Sequence, residues 1–138
     1  MVATFISNSP DETESFGREF ARTIRPGDVI ALIGELGAGK TLFVKGLVSG
    51  LGCNAAVTSP TFTLIHEYCG DRFPIFHFDF FRLENAKEAE RLDLDGYFFA
   101  NGVSVIEWAD RFRDLIPETA CWISFEAKSE TKRAITTR

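Results

Sequence analysis

The 138-residue chain carries 15 basic and 20 acidic side chains, a net charge of -5, with 45% hydrophobic and 25% charged residues. That length matches one domain of about 100 to 150 residues, residues 1–138 taken together, and the composition excludes disorder and a fibrous architecture. The acidic surplus is the wrong sign for gripping a phosphate backbone by counterion release, so nucleic acid is expected to be reached only through a partner.

Three cysteines, Cys53, Cys69 and Cys121, stand far apart with no C-x-x-C pair, which argues against a disulfide framework or a zinc knuckle. Reduced thiols in a cytoplasmic protein are the expectation. The opening residues lack a basic stretch followed by a long apolar one, and no apolar run approaches the ~20 residues that span a bilayer. No membrane association is expected.

Thr4 to Ser7 reads as a short strand. Ser9-Pro10-Asp11-Glu12 then supplies an N-cap, a proline at the first helical position and a capping glutamate, opening a helix whose Phe16, Phe20, Ala21 and Ile24 form one apolar stripe. Asp28 to Ile33 is a continuous apolar run of the kind that forms an inner strand covered on both faces. A glycine-rich turn follows. From Lys40 to Leu51 the apolar residues recur at helical spacing, and Gly52 sits where a helix end favours a left-handed residue. Phe62 to Cys69 and Phe73 to Phe80 alternate about Gly70-Asp71, as a hairpin does. Asn85 and Glu88 cap a short helix through Leu92, and turns at Asp95-Gly96 and Asn101-Gly102 flank Tyr97-Phe98-Phe99. Val103 to Ile106 is a strand that delivers Glu107 and Trp108. A helical turn from Asp110 to Ile116 and a hairpin of Cys121–Ala127 with Arg133–Thr137 complete the chain.

The strongest chemical signal is Gly34-Glu35-Leu36-Gly37-Ala38-Gly39-Lys40-Thr41, a full match to G-x-x-x-x-G-K-[ST] between an apolar strand and a helix. Glycines let successive N–H groups and the helix N-terminus face a phosphate, Lys40 brings positive charge from a solvent-facing loop, and the Thr41 hydroxyl can ligate Mg²⁺. Such a site also needs an acid at the end of a neighbouring strand, to hold the metal and orient the attacking water. Glu107 and Asp79 are the candidates. Glu107 ends an apolar strand and is expected on the metal side, whereas Asp79 ends a hairpin strand and is expected to act through water or from the opposite side. His77 shares a strand face with Asp79, which leaves a half-buried structural imidazole and a supporting role both open, while His66 reads as an ordinary strand residue. Thr58-Ser59-Pro60-Thr61 gathers hydroxyls where related nucleotide-binding proteins place a switch. Trp108 reads as a core residue or as a gate over the site.

The order GELGAGKT, TSPTFTLIHEY, HFDFFRLE, VIEW and a closing strand at Arg133 resembles the TsaE family, formerly the YjeE family, of bacterial P-loop ATPases, over essentially the whole chain. The resemblance implies an α/β, P-loop NTPase-like three-layer domain with a central mixed β-sheet. It implies ATP and Mg²⁺ as cofactors, weak hydrolysis without partners, and a role in making threonylcarbamoyladenosine at position 37 of tRNAs that read codons beginning with A. The implied partners are the TsaB and TsaD proteins, with the chain a monomer or part of a partner-dependent complex. The family's functional positions fall on Lys40, Thr41, Asp79, Glu107 and Trp108. Two residues depart from the pattern: Phe81 stands where tyrosine is usual, and Glu35 where aspartate is commoner.

Three other readings exist. Asp93-Leu-Asp-Gly96 formally matches the D-x-x-G of a GTPase-like switch, but it follows a charged helix and no N-K-x-D segment accompanies it. A small-molecule P-loop kinase would need an acceptor pocket and a lid in a short chain. An interaction module without hydrolysis would be separated by turnover assays.

Overall fold

In the computed structural model, which describes residues 2–35, 37–58 and 64–138, the apolar run Val29–Gly34 forms β2, the strand about which the other elements are arranged. Before it come β1 (Ala3–Ser7), α1 (Pro10–Phe20) and a 3₁₀ turn (Ala21–Thr23). After it follow α2 (Lys40–Gly50), β3 (Ile65–Cys69), β4 (Pro74–Asp79), α3 (Ala86–Glu90), α4 (Leu94–Phe98) and β5 (Val103–Glu107). A 3₁₀ segment (Ala109–Leu115), β6 (Cys121–Ala127) and β7 (Arg133–Thr137) close the chain. The strands make one seven-stranded sheet in the order β1-β7-β6-β2-β5-β4-β3. Strands β6, β2, β5 and β4 run parallel, and antiparallel pairs flank them on both sides.

Alternation along β2 divides its side chains between two cores. Ile30 and Leu32 pack with Phe43, Leu47 and Val48 of α2, whereas Val29 and Ala31 face Phe78, Phe98 and Ile106 on the other side. A strand whose two faces are both covered by other layers must be apolar throughout, which is why the run carries no polar alternation. The three layers implied by the family resemblance are therefore present.

Local signals explain the helix starts. Ser9 accepts a hydrogen bond from the Glu12 amide at 3.1 Å, and the Glu12 carboxylate accepts one from the Asn8 amide at 3.3 Å. Asn85 caps α3 in the same way through the Glu88 amide. By contrast α2 has no side-chain cap, and its N-cap is Gly39 at φ 103°. Its first-turn N–H groups are thus left without the side-chain acceptor that α1 and α3 possess.

Two local readings change. The Asn85 helix ends at Glu90 rather than Leu92, and the segment read as turns around Tyr97 holds the short helix α4. Asp93 adopts the left-handed conformation at φ 54° ahead of it, while Leu94 and Phe98, one turn apart, are both buried. Burial of that pair outweighs the turn preference of Asp95-Gly96. The hairpin of β3 and β4 is present from Ile65 onward; Phe62 and Thr63 lie outside the described residues.

Candidate active site

The parallel strands β2, β4 and β5 end together, and their register brings the candidate residues to one edge. Asp79 pairs with Glu107, and Leu32 pairs with Glu107 from the other side. Asp79, expected to act through water or from the opposite side of the metal, does end a hairpin strand. β4 pairs with β3 along one edge and in parallel with β5 along the other, so the two carboxylates are register neighbours.

Gly34 leaves β2 at φ 148°, where an added Cβ would lie 2.6 Å from the Phe125 carbonyl oxygen. Only glycine lets the chain turn here without displacing β6. Gly37 at φ 78° and Gly39 at φ 103° continue the left-handed path into α2. Beyond the turn, Arg133 of β7 donates to the Gly37 carbonyl at 3.1 Å, bracing the loop from the far hairpin.

Lys40, expected to project from a solvent-facing loop, is instead 5% exposed. Its ammonium donates to the carbonyl oxygens of Gly34 and Glu35 and lies 3.7 Å from the centre of the Trp108 ring. Burial lowers its pKa from the ordinary lysine value, and Glu107, Asp79 and Asp110 oppose that lowering in part.

Glu107 is buried, yet both oxygens are engaged. Oε1 accepts from the Thr41 hydroxyl at 3.3 Å, and Oε2 lies 2.6 Å from His77 Nε2. Asp79 Oδ1 accepts from the Phe81 amide at 2.8 Å. The residue after Glu107 takes the left-handed conformation, Trp108 at φ 57°. This turns the chain sharply out of β5 and lays the indole over Lys40 and against Phe81, with ring centres 4.9 Å apart. A bulky residue at positive φ costs on the order of 1 to 3 kcal/mol, which the indole's contacts with Lys40 and Phe81 must offset.

Gly37 to Thr41, Asp79, Phe81, Glu107 and Trp108 together line a cleft of about 350 Å³. The Thr41 hydroxyl, the Glu107 carboxylate and the Asp79 carboxylate are hard oxygen donors of the type Mg²⁺ takes. Among the described residues no group of three or more His, Cys, Asp or Glu side chains could enclose a metal by itself. Oxygen donors of this kind fit an ion that completes its shell with water and ligand phosphates, as Mg²⁺ does. Leu36 of the loop and Ser59 and Thr61 of the expected switch lie outside the described residues; Thr58 is exposed at the near edge of that segment.

Sequence reasoning did not single out Tyr68. Its hydroxyl lies 3.3 Å from His77 Nδ1, behind Glu107. The signal was the period-two spacing of β3 and β4, which sets His66, Tyr68 and His77 on one face of the sheet.

A strand, a glycine-rich loop and a helix leading to paired acids at the ends of parallel strands define a P-loop NTPase-like fold. The structure superposes on the crystal structure of Bacillus subtilis YdiB with a TM-score of 0.85 and 34% identity, covering 99% of this chain and 84% of that one. The family model described as "Threonylcarbamoyl adenosine biosynthesis protein TsaE" matches residues 7–135. Proteins named tRNA threonylcarbamoyladenosine biosynthesis protein TsaE are similar throughout. The one from Bacillus subtilis is 41% identical over 93% of this chain and 80% of its own length, and that from Treponema pallidum is 38% identical over 95% and 96%. The chain belongs to the TsaE family, whose role is in tRNA threonylcarbamoyladenosine biosynthesis.

Proposed function

We propose that the chain binds Mg-ATP in this cleft, hydrolyses it slowly, and serves threonylcarbamoyladenosine formation on tRNA through TsaB and TsaD partners. The observation that carries the reading is the convergence on one cleft of Lys40, the Thr41–Glu107 hydrogen bond and Asp79. Glycine-loop amides and the α2 N-terminus would cradle the phosphates, and Lys40 would transfer its hydrogen bonds from the loop carbonyls to phosphate oxygens. Bound Mg²⁺ would supply charge neutralisation at the phosphates. Thr41 and Glu107 would hold that ion, and Asp79, one strand over, would orient water toward the terminal phosphate. Such work is positioning and electrostatics, which is what phosphoryl transfer requires of a protein. The output in this reading is a nucleotide-dependent change of shape felt by partners.

A GTPase-like reading is weaker because Asp93 to Gly96 form the entry to α4 rather than a strand end beside the cleft. The test is turnover of ATP and GTP, with Mg²⁺ and with EDTA, in the presence and absence of purified TsaB and TsaD. Mg²⁺-dependent ATP turnover that rises with the partner pair is expected. No turnover of either nucleotide under any of these conditions would leave an interaction module, and preference for GTP would restore the switch reading.

A further inference from the structure

The glycine loop is held from a direction that its motif does not specify. Arg133 opens β7 and pairs with Ser7 of β1 on one side and Ala127 of β6 on the other, so two ladders fix its backbone. Its Nη1 donates to three carbonyl oxygens of the turn between β6 and β7, those of Ser129 at 2.7 Å, Lys132 at 3.0 Å and Glu130 at 3.3 Å. Its Nη2 reaches away from that turn to the Gly37 carbonyl at 3.1 Å. A guanidinium stays charged and carries only donors, so the sense of all these bonds is fixed.

Peptide geometry carries the effect from Gly37 into the loop. A trans peptide is planar with its C=O and N–H opposed, so a Gly37 carbonyl turned to Arg133 turns the Ala38 N–H away from it. That N–H donates to the Glu35 carbonyl oxygen at 3.1 Å, and Lys40 Nζ donates to the same oxygen at 3.2 Å. Two donors of the loop thus converge on one acceptor position, the arrangement needed to share a phosphate oxygen. Packing does little to hold the Gly37 peptide: its φ is 78°, and beyond its chain neighbours no atom lies within 4 Å of an added Cβ. Arg133 lines a cavity of about 40 Å³ together with Gly37 and Gly39, and it does not line the cleft, so it meets the loop from behind.

We propose that Arg133 is a positioning residue for the glycine loop: by holding the Gly37 carbonyl, it aims the Ala38 N–H at the point where a phosphate oxygen binds. This rests on the Mg-nucleotide reading. The turn carbonyls fix the guanidinium, and its second nitrogen applies that fixity to the loop. A lysine could not do both, because its single ammonium must choose between the turn and Gly37.

The experiment measures, with Mg²⁺ present, binding of a fluorescent ATP analogue and its displacement by inorganic tripolyphosphate, together with NMR exchange of the Ala38 and Phe43 amides without nucleotide. Wild type, Arg133→Ala and Arg133→Lys are compared. Both variants should bind the analogue and tripolyphosphate about three- to tenfold more weakly, as the loss of one hydrogen bond would cause. Ala38 exchange should quicken by a similar factor, while Phe43, whose amide donates to Gly39 within α2, should exchange as in wild type. Equal acceleration of both amides would mean that Arg133 only stabilises the fold, and overturns the proposal. Weaker binding with unchanged Ala38 exchange would mean that Arg133 touches the nucleotide directly, and faster Ala38 exchange with unchanged affinity would mean that the loop needs no aiming; either overturns it. An Arg133→Lys equal to wild type would leave charge alone as the cause and overturns it too. If both variants match wild type throughout, the brace is wrong and the nucleotide reading stands. A wild-type protein that binds neither the analogue nor tripolyphosphate sinks both. Should Arg133→Ala fail to fold, Arg133→Lys decides alone.

Discussion

Lys40 shows how a site residue can stand against the stability of its own fold. Its motif position was legible, but its burial was not: a G-K-[ST] pattern fixes where the lysine leaves the chain, while the cover over it comes from Trp108, a residue brought in by another strand. Burial is the largest influence on the ammonium, and it lowers the pKa below the unfolded value of 10.5. For a base the sign is then fixed. The charged lysine costs stability at every pH below its folded pKa, and that cost fades as pH rises through the folded pKa toward the unfolded one. Replacing Lys40 with Met keeps the stem and removes the charge, so the nucleotide-free variant should melt at or above the wild-type temperature. Nucleotide affinity should fall tenfold or more, since each charge-assisted hydrogen bond to phosphate contributes about 1.5 to 3 kcal/mol. Calorimetric melting and a binding titration check both parts; a clear drop in melting temperature would mean that the carbonyl and indole contacts outweigh desolvation. The same logic of cross-strand cover explains why Tyr68 went unread: period-two spacing gives the face it shares with His66, but its nearness to His77 is set by sheet register.

At the scale of elements, α1 and α2 touch backbone to backbone. A Cβ on Gly17 would lie 2.2 Å from the Phe43 carbonyl oxygen, and one on Gly46 only 1.8 Å from the Glu14 carbonyl oxygen. This contact matters for the site because α2 begins with Lys40 and Thr41, and its tilt sets where their side chains point. Helical periodicity marks both helices, and the side-chain cap of α1 marks its start, because apolar stripes and caps are local. It could not reveal which glycines lie between helices, because a mid-helix glycine looks the same whether it is packed or merely tolerated. The two effects of Gly46→Ala compete. Intrinsic propensity favours alanine by about 1 kcal/mol, but a 1.8 Å approach to backbone cannot be relieved by turning a side chain, and forced overpacking costs typically about 1 to 3 kcal/mol or more. Packing should win. Chemical denaturation is expected to find Gly46→Ala destabilised by about 1 to 3 kcal/mol or not folded at all; a more stable variant would show that the helices separate freely.

Over the whole molecule, the parallel order β6-β2-β5-β4 gathers the chemistry at one edge of the sheet. Individual strands were legible from their apolar runs, but strand order was not: that Asp79 lies beside β5 is a property of the sheet. Charge is the remaining global quantity, and it bears on how the chain meets tRNA. Its net charge is -5, and acidic side chains also outnumber basic ones from Asp79 to Asp114, a stretch that contributes Asp79, Phe81, Glu107 and Trp108 to the cleft. Lys40 is buried and Arg133 is turned to the glycine loop, so neither offers its charge to a polyanion outside. Non-specific binding of proteins to nucleic acid, at about 10⁻⁴ to 10⁻⁶ M in physiological salt, rests on displaced counterions, which requires a basic surface. The chain alone should therefore bind tRNA more weakly than about 10⁻⁴ M at physiological salt, with affinity nearly independent of salt. Added TsaB and TsaD should bring it onto tRNA without altering that intrinsic weakness. Fluorescence anisotropy of labelled tRNA, titrated with the chain at several salt concentrations, measures both the affinity and its slope. Micromolar binding that falls steeply with salt would show a direct tRNA surface and would overturn recruitment through partners alone.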